Sequence, residues 1–157
     1  VDVDADYMNF EIGADVSGFL VGMQYEVLSG TNGTDGDTTF ATPLATLHAH
    51  NGYGDLFLAT PAAGLEDLSA SLGYKSKDFG MLKAIYHDFT SDVGSIDYGT
   101  ELDVVYTRAI PNVNNLTGML KFVDYNAGDT VAEGNYAAQA TDLTKFVAML
   151  DYKFATK

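Results

Sequence analysis

Hydrophobic and polar residues alternate along most of the chain with a period of two. The clearest example is segment 19–28, Phe-Leu-Val-Gly-Met-Gln-Tyr-Glu-Val-Leu, where a large apolar side chain occupies every second position. Strict alternation over four to eight residues is typical of a β-strand with one apolar and one polar face. Runs of this kind predict seven strands, at about 4–14, 19–28, 65–75, 80–90, 98–110, 116–125 and 142–154.

The connections between these predicted strands alternate in length. Short turns rich in Gly, Pro and Asn lie at 15–18, 76–79 and 111–115, whereas 29–64, 91–97 and 126–141 are long. Most strands reach 9–11 residues, beyond the ~5–6 usual for soluble proteins. Long strands with alternately short and long connections are typical of outer-membrane barrels. We therefore predict an all-β, antiparallel, up-and-down transmembrane β-barrel. Its loop 29–64 would be extracellular and fold towards the pore, with a turn of helix at 57–64.

Composition restricts the classes of function. The chain has 157 residues, 8 Lys and Arg against 22 Asp and Glu, and a formal charge of −14. Nucleic acid is excluded as a partner, because a phosphate backbone requires a basic surface. There is no cysteine, so a disulfide framework and a thiol nucleophile are also excluded. No apolar run approaches the ~18 residues of a membrane helix.

A second fold class stays open from the pattern alone. A soluble β-sandwich also alternates apolar and polar positions, so the alternative is a soluble acidic β-sandwich or adhesin module at the cell surface. The last strand carries Tyr152 and Phe154 on its apolar face at its very end. Because amphipathic aromatic rings favour the membrane interface, this placement favours the barrel.

Strand parity predicts that 1–157 is the C-terminal portion of a larger barrel domain. If the last strand ends in the periplasm, counting back through alternating turns starts the first predicted strand outside the cell. Bacterial single-chain barrels have an even number of strands and begin inside. We therefore expect an odd number of further strands.

Several motifs in the long loop and the later strands form a set. They are Phe40 to Asp55, Phe57 to Pro61, Gly64 to Asp67, Leu82 to Phe89, Asp97 to Asp103, Asp142 to Phe146 and Leu150 to Phe154. This set, over about 5–154, resembles the C-terminal part of the alginate-export family of outer-membrane porins. The resemblance implies a barrel of eighteen strands, eleven of them before Val1. It also implies a porin-like channel in the outer membrane of a Gram-negative bacterium.

The resemblance also implies partners. These are membrane lipid, lipopolysaccharide, small polar solutes and, during insertion, the barrel assembly machinery, which reads a terminal aromatic residue. Here Ala155-Thr156-Lys157 follow Phe154, where family members tend to stop. Passive transport needs no cofactor. The namesake polyanion implies an arginine-rich constriction, but Arg108 is the only arginine and shares the parity of the apolar face. We expect Arg108 to reach lipid headgroups instead.

The polar positions of the strands are the candidate pore lining. Acids concentrate on strands one to three and five, and lysines on strands four, six and seven. Charged side chains around a pore set the sign of the permeant ion, and the net charge favours cations. The predicted lining residues are Glu11, Gln24, Glu26, Asp67, Lys75, Lys83, His87, Glu101, Asp103, Lys121 and Lys145.

The long loop and the acidic segments raise metal binding as an alternative. His48, His50, Asn51 and Asp55 are candidate pore-loop residues, and His-x-His alone is a poor metal signal because ligands must converge. Asn32, Asp35 and Asp37 offer oxygen ligands for calcium but lack the bidentate Glu of an EF-hand. We therefore favour a solvated outer loop over a calcium site for this acidic segment.

Catalysis has one candidate pair. Glu101 and Asp103 lie two apart on one strand face, about 7 Å from each other, a spacing loosely compatible with a glycosidase. No Ser-His-Asp or Cys-His arrangement accompanies them. We therefore predict pore lining rather than an enzyme.

Overall fold

The protein forms a single antiparallel sheet of seven strands. The computed structural model describes residues 4–31, 38–41, 51–128 and 139–154. The strands lie side by side in chain order. They are β1 (Tyr7–Val16), β2 (Phe19–Leu28), β3 (Leu65–Ser76), β4 (Gly80–Thr90), β5 (Asp97–Ala109), β6 (Leu116–Ala127) and β7 (Leu143–Tyr152). The predicted all-β, up-and-down architecture is confirmed, with bounds that differ by at most three residues.

The first hairpin shows how the turn sequence determines a strand boundary. Ser17 and Gly18 have φ angles of 53° and 88°, so both central residues adopt the left-handed conformation. Two such residues form the tight turn that matches the twist of the flanking strands. Val16 can therefore pair directly with Phe19, and β1 extends two residues beyond its predicted end.

The predicted turn of helix at 57–64 is wrong. The described residues contain no helix, and this segment forms turns and bends that lead into β3. Pro61 is buried here, and its carbonyl accepts a hydrogen bond from Gly64 N–H at 2.8 Å. Within the described part of the chain, no helix is long and apolar enough to cross a membrane.

The apolar face of the sheet is exposed. Phe10 on β1, Leu72 on β3 and Phe146 on β7 retain 62%, 61% and 78% of their accessible surface. Cross-strand pairs continue this face across the sheet in the row that contains Leu82, Tyr106 and Leu120, whereas the row of Tyr86 and Leu102 ends at Asp124. An apolar surface that crosses a whole sheet is unusual for a soluble monomer.

Part of the polar face is covered by the chain itself. Residues 51–64 of the long connection lie against it, and many polar side chains beneath them are buried. An apolar cluster lies at the end of the sheet where the long connections leave. It consists of Leu28, Phe57, Leu65, Phe89, Tyr98 and Tyr125. Phe57 enters this cluster from the loop, with ring centroids 4.6 Å from Phe89 and 5.6 Å from Tyr98.

Strands β1 and β7 form the two edges of the sheet. Among the described residues each pairs with only one neighbouring strand, and they do not pair with each other. Their outer backbone N–H and C=O groups therefore lack a ladder partner in this sheet, a condition that proteins rarely leave unprotected.

We predict that Phe57 anchors the loop to the sheet. Phe57→Ala removes a 3%-exposed aromatic side chain and leaves a cavity, which should lower the free energy of unfolding by about 3–5 kcal/mol. The neighbouring Leu58 is 47% exposed, so Leu58→Ala is the matched control and should cost much less. Urea unfolding of the full-length protein measures both values. Equal losses would show that Phe57 does not hold the loop.

Candidate functional site on the polar face

Five titratable side chains from four strands meet on the polar face. The strand register places Glu26 opposite Asp67 and His87 opposite Glu101, and Asp103 lies two residues further along β5. All five are buried. Successive side chains of a strand point to opposite faces of the sheet. The alternation that places the apolar residues on one face therefore places these five side chains together on the other.

His87 lies between two carboxylates. Its Nδ1 is 2.9 and 3.0 Å from the two carboxylate oxygens of Asp67, and its Nε2 is 3.7 Å from Asp103 Oδ2. On its other side the imidazole ring stacks on Phe89, with centroids 5.3 Å apart. The contact with Asp67 fixes the orientation of the ring, which in turn directs Nε2 towards Asp103.

The segment Asn51-Gly52-Tyr53-Gly54-Asp55, here called the loop tip, binds these carboxylates from above. Asn51 Nδ2 donates to Glu26 Oε2 at 2.8 Å. The backbone N–H groups of Tyr53 and Gly54 donate to Asp103 Oδ2 and Glu101 Oε1, each at 2.9 Å. Together these three hydrogen bonds fix the loop tip on the sheet.

Two glycines make this close approach possible. A Cβ atom on Gly52 or Gly54 would collide with the carboxylate of Glu101. Gly52 also has a φ of 83°, which side chains rarely tolerate. Only residues without a side chain can lie here while Glu101 keeps its place.

Two lysines hold the loop tip from the other side. Lys145 on β7 donates to the Tyr53 carbonyl at 3.1 Å and pairs with Asp55 at 2.7 Å. The ammonium of Lys121 lies 3.9 Å from the centroid of the Tyr53 ring, a cation–π contact. Burial raises the pKa of the Tyr53 hydroxyl, and the nearby charge of Asp103 raises it further. Tyr53 therefore stays neutral across the physiological pH range.

Two carboxylate oxygens remain without a hydrogen-bond partner. They are Glu101 Oε2 and Asp103 Oδ1. Both side chains are fully buried under the loop tip, so a substrate cannot reach them while the loop tip stays bound. The described residues contain no group of three or more His, Asp or Glu placed to hold a metal ion. The contacts of this site hold the loop tip against the sheet.

Two cavities flank Tyr53. The smaller, about 280 Å³, is lined mainly by polar residues of β1 to β4, among them Gln24, Lys83 and His87. The larger, about 630 Å³, extends towards the short turns and includes Glu11, Lys75 and Lys121. Lys75 is paired there with Asp15 at 2.5 Å, and both groups are substantially exposed. The loop tip therefore divides the open space over the polar face.

The structure sorts the residues predicted from the sequence into three groups. A group of six lies around the loop tip, and a group of seven lines the cavities beside it or belongs to the tip itself. His48, His50, Asn32, Asp35 and Asp37 lie outside the described residues. The first two groups are Glu26, Asp67, His87, Glu101, Asp103 and Lys145, then Glu11, Gln24, Lys75, Lys83 and Lys121 with Asn51 and Asp55 in the tip.

Four participants were missed by the sequence analysis. Tyr53 is the centre of the loop tip, Tyr7 donates to Glu26 Oε1 at 2.7 Å, and the two glycines admit the carboxylate of Glu101. The Gly-Tyr-Gly spacing carried a usable signal, because glycines on both sides of an aromatic residue indicate close backbone approach. No local pattern indicated which carboxylates it would approach.

Comparison of the chain with protein-family models, with curated proteins and with solved structures gave no match. A function is therefore inferred from the fold and from this site.

We predict a strong energetic coupling between Gly54 and Glu101. Gly54→Ala should lower the free energy of unfolding, because its Cβ collides with the Glu101 carboxylate. In a Glu101→Ala background the collision is absent, so the same substitution should cost less by about 0.5–3 kcal/mol. The double-mutant cycle is measured by urea unfolding.

Gly94 provides the control for this cycle. A Cβ at Gly94 meets nothing within 4 Å, and its φ of 89° is strained for a side chain, whereas Gly54 has no positive φ. Gly94→Ala should therefore show effects that add to those of Glu101→Ala. Additive effects for Gly54→Ala as well would contradict the contact.

Proposed function

We propose that this protein is a porin-like channel of a bacterial outer membrane, through which small polar solutes or saccharides diffuse passively. The sheet is part of the channel wall, its apolar face turned to lipid and its polar face to the pore. One observation carries the proposal. The face that a soluble protein would bury is exposed, and the face that it would expose is partly covered by its own loop.

The energetics of the exposed face support a lipid environment. Removing apolar surface from water stabilises a protein by roughly 25 cal/mol per Å². A soluble fold with this sheet would therefore gain by covering Phe10, Leu72 and Phe146, yet the described loop residues pack on the opposite face. In a bilayer the hydrocarbon itself covers these side chains.

The open sheet edges at β1 and β7 must be paired for the proposal to hold. In hydrocarbon every backbone N–H and C=O must be paired, so a sheet spans a membrane only as a closed barrel. Under this proposal, further strands pair with the outer edges of β1 and β7. This requirement agrees with the larger barrel expected from strand parity. The resemblance to the alginate-export family, and its count of eighteen strands, stays a prediction.

The loop tip gives the proposed channel its constriction. It lies over the middle of the polar face, where Tyr53 separates the two cavities. The net charge of −14 favours cations among permeant ions. Under this proposal lipid and lipopolysaccharide surround the barrel, the assembly machinery acts during insertion, and no cofactor takes part.

The alternative is a soluble acidic β-sandwich or adhesin module. It requires a second layer over the apolar face, and the described residues supply none. Dependence on detergent separates the two classes. A full-length protein that stays monomeric without detergent would overturn the channel.

Planar-bilayer conductance of the full-length protein tests the proposed function. We expect ion-conducting steps, and under a salt gradient a reversal potential of cation sign, because the protein carries a net charge of −14. Absence of conductance would contradict the channel, and a reversal potential of anion sign would contradict the charge assignment.

A lysine variant tests the role of the loop tip in the same recording. Lys145→Met removes the ion pair with Asp55 and the hydrogen bond to the Tyr53 carbonyl. The loosened tip should raise the single-channel conductance. Lys153→Met is the control, since Lys153 is exposed beyond the end of β7 and should leave conductance nearly unchanged. Equal conductance in all three proteins would show that the tip is not the constriction.

A further inference from the structure

An apolar groove crosses the exposed face of the sheet near the short turns. Its volume is about 540 Å³, and its lining is almost entirely apolar. Gly118 on β6 forms the floor, because it has no side chain, and Ala148 on β7 adds little bulk. Tyr106, Leu120 and Leu150 rise beside them. The register explains this shape, since Gly118 lies opposite Leu150 and Leu120 lies opposite both Tyr106 and Ala148.

One end of the groove is positively charged. Arg108 lies opposite Gly118 and is the only charged residue in the groove lining. It is exposed and makes no ion pair with another described residue. Arg108 also borders a second cavity of about 500 Å³ that includes Lys75 and Lys77. Lys75 is paired with Asp15, so the groove leads towards Arg108 and Lys77 at the turn end of the sheet.

We propose that this groove is a binding site for one anionic phospholipid. One acyl chain lies along Gly118 and Ala148, and the guanidinium of Arg108 binds the phosphate of the headgroup. The proposal rests on the proposed function, because it places this face of the sheet in a bilayer.

The charge and the shape of the groove both favour an anionic phospholipid. Arginine offers a planar fork of N–H donors that matches a phosphate in two-point geometry. Basic pockets beside membrane segments attract anionic headgroups, and Lys77 adds to the local positive charge. The groove is a gap in a face otherwise filled by large side chains, which suits one flexible chain. A second copy of this protein would instead have to place a matching ridge and a carboxylate here.

Native mass spectrometry of the full-length protein tests the site. The detergent-folded protein is mixed with dioleoylphosphatidylglycerol, which is anionic, or with dioleoylphosphatidylcholine, which is zwitterionic. We expect the wild type to retain one phosphatidylglycerol in preference. Arg108→Gln should lower that retention about tenfold, as expected for loss of a hydrogen-bonded charged contact. Gly118→Leu should lower the retention of both lipids, because the new side chain fills the groove.

Two controls match these changes. Lys153→Gln removes a positive charge at the same end of the sheet, where the Lys153 N–H contacts Asn115, but outside the groove. Ala84→Leu adds the same kind of bulk on the apolar face at β4. Both should retain lipid as the wild type does.

The outcomes separate the site from the channel. Equal phosphatidylglycerol retention by the wild type and Arg108→Gln overturns the headgroup contact. A protein dimer that Gly118→Leu abolishes, with no lipid retained, assigns the groove to a second copy and also overturns the proposal. Either result with channel conductance intact leaves the proposed function standing. A wild type that needs no detergent overturns both.

Discussion

The contact between the loop tip and the carboxylates of β5 is the interaction on which the arrangement of the molecule depends. Tyr53 and Gly54 donate their backbone N–H groups to Asp103 and Glu101. This contact places part of the longest connection over the polar face and away from the apolar one. Because the connection lies on the polar face, cavities remain on either side of Tyr53 and the apolar face stays uncovered.

Burial of so many carboxylates is costly unless each finds partners. Glu26 accepts hydrogen bonds from Tyr7 and Asn51, and Asp67 contacts His87, so both carboxylates have polar partners. Glu101 and Asp103 each keep one oxygen without a partner. A hydrophobic core could hold a loop at less cost. The polar contacts instead define one position for the loop tip, because only glycine fits against Glu101.

Much of the fold could be predicted from the sequence, because a period of two determines both the strand and its faces. On β4 the alternation of Leu82, Lys83 and Ala84 predicted which side chain lies on which face, and the register agrees. The loop tip could not be placed in this way. Its partners Glu101 and Asp103 lie about fifty residues further along the chain. Local periodicity carries no information about contacts over such a separation, and only the glycines around Tyr53 hinted at one.

The central claim is that one face of this sheet meets lipid and the other meets water. The chain has no cysteine, so single cysteines can be introduced and spin-labelled one at a time along β4 of the full-length protein in vesicles. The account predicts that labels at Leu82 and Tyr86 collide with oxygen dissolved in lipid. Labels at Lys83 and Ile85 should collide with a water-soluble nickel complex instead. Uniform access of the nickel complex to all four positions would contradict the account.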